Sequence, residues 1–192
     1  SRDMYKPRGY QQTNNCYAYA VNDRDRSFNA KDFQGNPGDR TMGAEKARHV
    51  DPYRAKNFAA FVRQTIEGNI SDGMIFTGHK METRAGFYRT ALYARPIDHD
   101  VNDPVEAMDY HYIRQNRDGT WSHKFGALFV TDLDYAGKVI TNPQTASMGA
   151  YKFIGYFFVP EGGLDVGPPD EKATKAASRP AFQAPAAPVP TA

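Results

Sequence analysis

Three side chains of this sequence have the chemistry of a nucleophile and its base: one cysteine and two histidines. Cys16 is the sole cysteine among 192 residues, so neither an internal disulfide nor a multi-cysteine zinc site can form. A thiol becomes an effective nucleophile when a helix N-terminus or a nearby imidazolium lowers its pKa from about 8.5. The sequence therefore raises the question of what surrounds Cys16.

The residues before Cys16 predict that it opens a helix. Asn14 and Asn15 precede the apolar run of residues 16–21, and asparagine is a favoured N-cap. The residues that follow such a cap lie at the positive end of the helix dipole. We therefore expect Cys16 in the first turn of a helix, where a thiolate is favoured.

Residues 109–126 predict a β-hairpin that brings two histidines together. Residues 116–119 read Asn-Arg-Asp-Gly, which favours a type I turn with Gly119 in the left-handed position. This register sets Ile113 opposite His123 and His111 opposite Phe125. Both histidines then point to one face as diagonal neighbours.

The residues that alternate with the histidines are expected on the other face of the hairpin. Tyr110 and Tyr112 flank His111, so their side chains point away from it and are expected to pack the hairpin rather than stack on a base or sugar. A base next to Cys16 also needs a group that fixes its tautomer. The candidates for that role are His123, Asp109 and Asn142.

The order of these residues resembles a known group of enzymes. A cysteine that opens the first helix, followed by two histidines about a dozen residues apart on sheet strands, looks like the Cys-His-His arrangement of NlpC/P60 cell-wall peptidases in the papain-like fold. The strings NCYAYA, DYHYIR and WSHK also look like a poorly characterised family of bacterial and phage proteins. The first resemblance implies Cys16 as nucleophile, His111 as base and His123 as orienting residue.

Two features of the sequence depart from that family. The cysteine lies in Asn-Cys-Tyr-Ala, where NlpC/P60 proteins usually have Asp-Cys-Ser-Gly, and residues 87–93 lack the histidine that normally opens a strand of this type. An oxyanion would be bound by the backbone N–H of Cys16 and by one side-chain amide. Asn14, Asn15 and Gln12 are candidates for the amide, and Gln12 is the most papain-like.

The remaining elements predict an α+β fold of papain-like or NlpC-like type, with N-terminal helices packed on an antiparallel sheet. Apolar residues at three- and four-residue spacing predict a helix over residues 55–67. Aromatic and β-branched runs predict strands over residues 73–77, 87–95, 109–115, 120–124 and 151–159. Residues 1–160 form the predicted hydrolase domain. Residues 161–192 are rich in Pro and Ala and predict an extended tail that a protein partner could hold.

Composition and motifs limit the classes of partner and cofactor. A formal charge of +2 does not favour nucleic acid or a membrane as a partner, and no apolar run is long enough to cross a bilayer. The compartment stays open, with secretion or a place in a virion among the options. A zinc site from His111, His123 and Asp109 lacks supporting histidine spacing, and residues 98–103 lack the glycine and glutamate of a calcium loop. Neither metal nor cofactor is predicted.

Two functions from different classes follow from these residues. The first is a thiol-dependent amide hydrolase, a cysteine peptidase or amidase, acting on cell-wall peptides or on a target protein. The alternative is a non-enzymatic component of a larger assembly, such as a virion or a secretion apparatus, built on the same scaffold. The enzyme requires the sulfur of Cys16 within about 4 Å of a histidine nitrogen, at an open groove. A sulfur buried among apolar side chains favours the assembly component.

Overall fold

A computed structural model describes residues 14–23, 35–38, 55–96, 108–126 and 128–166. Gln12, residues 98–103 and the predicted tail from residue 167 onward lie outside these ranges. The two helices are α1 (Cys16–Ala20) and α2 (Phe58–Ser71), and a 3₁₀ turn spans Pro143–Thr145. The strands are β1 (Ile75–Gly78), β2 (Phe87–Arg95), β3 (Asp109–Gln115), β4 (Trp121–Lys124), β5 (Val130–Thr131) and β6 (Lys152–Pro160).

The strands form a six-stranded sheet in the order β1-β6-β2-β3-β4-β5, and each neighbouring pair is antiparallel. Strand β2 lies at the centre between β3 and β6. Tyr93 of β2 pairs with His111 of β3, and Ile113 of β3 pairs with His123 of β4. Because β5 has only two residues, the sheet ends at a short outer strand next to the histidines.

Both faces of the sheet are buried, which explains why its strands read as nearly continuous aromatic runs. Successive side chains of a strand point to opposite faces. One face carries Leu92, Tyr110, Tyr112 and Phe157, and it packs against α1 and α2. The opposite face carries a second set of buried side chains and is covered by the 140–151 segment: Ala91, Tyr93, Ile113, Trp121 and Tyr156.

Asparagine side chains begin both helices. The side-chain oxygen of Asn15 accepts a hydrogen bond from the N–H of Ala18 at 2.8 Å, and that of Asn57 accepts from Ala60 at 2.9 Å. Each cap satisfies one of the N–H groups that a helix start leaves without a partner. The prediction that Cys16 opens a capped helix is confirmed.

The predicted fold class, papain-like or NlpC-like α+β with N-terminal helices packed on the sheet, is wrong. Among the described residues the antiparallel sheet predominates, and α2 is the only helix longer than five residues. Helix α1 stops after one turn because Asn22 takes a left-handed conformation with a φ of 56°. A cap and an apolar run therefore start a helix here without extending it.

The predicted hairpin is confirmed in register and in turn. Gly119 has a φ of 85°, the left-handed conformation that glycine adopts without steric cost, and its N–H donates to the carbonyl of Asn116 at 3.1 Å. Packing continues past residue 160, since Leu164 donates to the Val21 carbonyl and the buried Val166 donates to Asp23. In the described ranges, the helices are all too short or too polar to span a membrane.

Candidate functional site

Cys16 is buried at the point where α1 meets β3. Its side chain is 8% exposed and belongs to the core cluster of Tyr17, Tyr110 and Tyr112. The thiol donates to the backbone carbonyl oxygen of Tyr110 at 3.9 Å. The thiol proton is therefore used in a hydrogen bond to the main chain of β3.

This setting makes the thiol unreactive. Burial, and then the negative charge of Asp109, raise the pKa of Cys16 to about 12, although backbone N–H groups of Tyr112 and Tyr17 act in the opposite direction. A helix of five residues adds little positive potential at its start. At neutral pH the group is therefore the neutral thiol, whereas nucleophilic attack needs the thiolate.

The two histidines form a hydrogen-bonded pair, as the predicted register implies. Nε2 of His111 lies 2.9 Å from Nδ1 of His123, and Nε2 of His123 lies 2.8 Å from the carbonyl oxygen of Leu133. A carbonyl only accepts, so His123 carries its proton on Nε2 and accepts on Nδ1 from His111. The ring of His111 stacks on Phe125 with centroids 4.5 Å apart and an interplanar angle of 8°.

Both imidazoles are neutral at neutral pH. Burial, and then the neighbouring His123, hold the pKa of His111 well below its ordinary value of 6.5. Burial also lowers the pKa of His123, opposed in part by its bond to the Leu133 carbonyl and by the charge of Asp134. Neither ring supplies the imidazolium that would stabilise a thiolate.

The cysteine and the histidine pair lie on opposite faces of the sheet. His111 falls between Tyr110 and Tyr112 in β3, and these tyrosines share the core cluster of Cys16. His111 instead contacts Phe125 and Tyr151, on the face covered by the 140–151 segment. Within the described ranges, the thiol makes no hydrogen bond to either histidine. The structure therefore does not bring the three predicted catalytic residues together as a triad.

The amides proposed as oxyanion donors near Cys16 are engaged elsewhere. Nδ2 of Asn15 donates to the carbonyl of Gly35 at 3.1 Å, and Nδ2 of Asn14 donates to the carbonyl of Asp23 at 3.3 Å. Gln12 lies outside the described residues. Because both described amides bind the main chain, neither points to a position where an oxyanion would form.

The remaining candidates for support also have structural partners. Asp109 accepts from its neighbour's N–H, that of Tyr110, at 2.8 Å and from the hydroxyl of Tyr151. Asn142 caps the 3₁₀ turn by accepting from the N–H of Gln144 at 3.0 Å. The described residues contain no group of three or more His, Cys, Asp or Glu side chains arranged to hold a metal ion.

Sequence reasoning missed a buried lysine beside the cysteine. Lys124 is fully buried, and its ammonium donates to the carbonyl oxygens of Asn14, at 2.6 Å, and of Gly126. Burial lowers its pKa to about 8, opposed by the nearby Cys16. The lysine ties the end of β4 to Asn14, which precedes the N-cap of α1. The sequence held one signal for this position. Lys124 follows His123 in a strand, so its side chain points to the opposite face, which packs against the helices.

Sequence reasoning also missed a surface of exposed apolar side chains beyond β4. Five of the seven large hydrophobic residues described as exposed lie within residues 128–139, and we call them the apolar ridge: Leu128, Phe129, Leu133, Tyr135 and Val139. Leu133 and Val139 pair across an isolated bridge, and Tyr135 contacts Phe125 with ring centroids 5.1 Å apart. The ridge borders the histidine pair through Leu133.

Comparison with known proteins finds similarity to a named structural protein. The chain is 29% identical over 150 residues to the insoluble matrix shell protein 1 of Ruditapes philippinarum, and the match covers 78% of this chain and 81% of the relative. No family model matches the chain. No solved structure matches it either.

Proposed function

We propose that this protein is a non-enzymatic structural or interaction component of a larger assembly. The observation that carries the proposal is the state of Cys16: a buried thiol, hydrogen-bonded to the main chain, with a pKa raised to about 12. The histidines that would have to activate it pack on the other face of the sheet. The residues that suggested a hydrolase thus contribute to the stability of the fold.

The likeness to a named structural protein supports the same proposal. The relative is described as an insoluble matrix shell protein, and the match extends over most of both chains. A role of this class needs a stable fold and a surface for contact. It does not need an activated nucleophile.

The apolar ridge is the surface that we assign to this role, with a second copy of the chain as its occupant. Phe129 is 76% exposed and Leu128 is 64% exposed, and large apolar side chains exposed together in one segment mark an interaction site. A formal net charge of only +2 gives little repulsion between copies. The outer strand β5 beside the ridge adds an edge at which a second sheet could align.

Alkylation of Cys16 by iodoacetamide tests the first part of the proposal. At pH 8 the folded protein should react about a thousandfold more slowly than the same protein in urea, because a thiol with a pKa of about 12 is almost entirely protonated. His111→Ala and His123→Ala should not slow the reaction further. Fast alkylation of the native protein below pH 8 that either substitution abolishes would restore the hydrolase hypothesis.

Sedimentation equilibrium tests the ridge as a contact between copies. The Leu128→Ser/Phe129→Ser variant should have a lower weight-average mass than the parent at about 100 µM. Its association constant should fall at least tenfold, which corresponds to a loss of about 1.4 kcal/mol in the free energy of association. Met81→Ser is the matched control, because Met81 is 50% exposed and lies outside the ridge. Equal self-association of all three proteins, or a monomeric parent, would contradict the assignment.

A further inference from the structure

The histidine pair is built so that it can accept one proton and not two. In the neutral pair, His111 donates from Nε2 to Nδ1 of His123, and His123 donates from Nε2 to the Leu133 carbonyl. The free acceptor is Nδ1 of His111. A first proton placed there leaves both hydrogen bonds intact, and the charged ring faces Phe125 in a cation–π stack.

A second proton would have to enter between the two rings. Nδ1 of His123 would then carry hydrogen and face the N–H of His111 across 2.9 Å. Two N–H donors that face each other at this distance cannot form a hydrogen bond, and two positive charges repel strongly in a buried site. The rings must therefore separate. His123 is bonded to Leu133, and β5 pairs with β4 through His123 and Thr131. Separation of the rings therefore disturbs the outer edge of the sheet.

The geometry points to an acid-sensitive latch. While His111 and His123 share at most one proton, they hold β5 against β4, and when both rings are protonated β5 is released. The released segment, residues 128–135, carries most of the apolar ridge. Acid would thus change the surface that the folded protein presents at neutral pH.

The charged and titratable neighbours of the pair come from every element packed around it. They are Tyr93 and Arg95 on β2, Asp109 on β3, Asp134 and Tyr135 after β5, and Tyr151 before β6. Burial raises the pKa of each tyrosine, to about 12 for Tyr135, so they stay neutral in acid. Backbone N–H groups hold the pKa of Asp134 below its usual value, so that it remains ionised above pH 4.5.

The sign of the pH dependence follows from the burial of both rings. Their pKa values lie below 6.5 in the closed state, so an open state that exposes them binds protons first. Opening is therefore favoured as the pH falls below about 6.5. Its equilibrium constant should rise about tenfold per pH unit for each extra proton taken up.

Hydrogen exchange between pH 6.5 and 4.5, corrected for the intrinsic rates, tests the latch. At pH values where the closed pair still carries no proton, amides of residues 128–135 should open more steeply than tenfold per unit of pH decrease in the wild-type protein, because opening then takes up two protons. Amides of β2 and β6 should keep their protection. An equal increase in β2 and β6 would mean global unfolding and would overturn the latch.

Two variants separate the pair from other histidines. In His111→Gln the carboxamide can donate to neutral His123 or accept from charged His123, so the slope should fall to tenfold per pH unit or less. His79→Gln removes an exposed histidine outside the pair and should keep the wild-type slope. If His111→Gln opens as steeply as the wild type, the latch is wrong.

Nitrogen-15 spectra of the wild-type histidine rings give a test that needs no variant. At pH 7.5 both rings of the pair should be in the Nε2–H form, and on acidification Nδ1 of His111 should be the first nitrogen to gain a proton. A proton on Nδ1 of His123 at pH 7.5, or independent titration of both rings near pH 6.5, would overturn the proposal.

Discussion

Replacing His123 with leucine should lower the free energy of unfolding by about 2–5 kcal/mol at pH 7.5. Leucine keeps most of the buried volume, but it leaves the N–H of His111 and the carbonyl of Leu133 without their partner. Each buried polar group left in this way costs about 1–3 kcal/mol. Urea denaturation with an unchanged m-value would measure the difference.

Two further proteins make that result specific to the pair. His79→Leu changes an exposed histidine and should alter the free energy of unfolding by less than about 0.5 kcal/mol. The double variant His111→Leu/His123→Leu should lose less than the sum of the two single variants, because it removes both partners of one hydrogen bond. Strict additivity would show that the rings do not interact as the 2.9 Å distance implies.

The sequence predicted the features that depend on neighbouring residues. The hairpin register follows from the turn at residues 116–119, because Gly119 supplies the left-handed conformation and the alternation of side chains does the rest. The cap of α1 follows from Asn15, whose side chain reaches the N–H three residues later. Both features join residues that lie close together in the sequence, so few alternative arrangements compete with them.

The sequence did not predict which sheet face receives the cysteine. Alternation already separated His111 from Tyr110 and Tyr112, but nothing local states which of the two sets faces α1. That choice depends on contacts far apart in the chain, such as the bond from the Tyr19 hydroxyl to Ser122 at 2.7 Å. In the structure Cys16 packs against the tyrosines, and the histidines lie on the other face. The predicted triad therefore does not form.

The fold class was wrong for a related reason. An apolar run after an Asn cap predicts where a helix starts, but it does not show how far the helix extends. The helix ends before Asn22, which turns the chain so that Val166 donates to Asp23 and Leu164 donates to the carbonyl of Val21. These contacts join the two ends of the described chain. A local pattern carries no record of them.

The burial of Cys16 is expected to depend on a segment that contacts its neighbours. Segment 35–38 lies between α2 and the start of α1: the carbonyl of Gly35 accepts from Asn15, Asn36 accepts from the Tyr110 hydroxyl, and the N–H of Gly38 donates to Asp72. Two of these partners, Asn15 and Tyr110, are also the neighbours of the thiol. We therefore expect this segment to limit access to Cys16.

Gly68 sets how closely α2 approaches that segment. A Cβ atom at this position would lie 2.5 Å from the carbonyl oxygen of Pro37 and 2.7 Å from its carbon, so backbone would have to move. Gly68→Ala should therefore destabilise the protein by about 2–4 kcal/mol, although alanine normally favours a helix by about 1 kcal/mol. Displacement of the segment should also raise the alkylation rate of Cys16 in the native protein at least tenfold.

Ala59→Gly is the matched control, because it exchanges the same two residue types in the opposite direction at an exposed position of α2. It should cost about 0.5–1 kcal/mol through helix propensity and leave the alkylation rate unchanged. If Gly68→Ala stabilises the protein, or destabilises it without exposing the thiol, then segment 35–38 does not guard Cys16. The inert state of the thiol would in that case rest on its packing against Tyr17, Tyr110 and Tyr112.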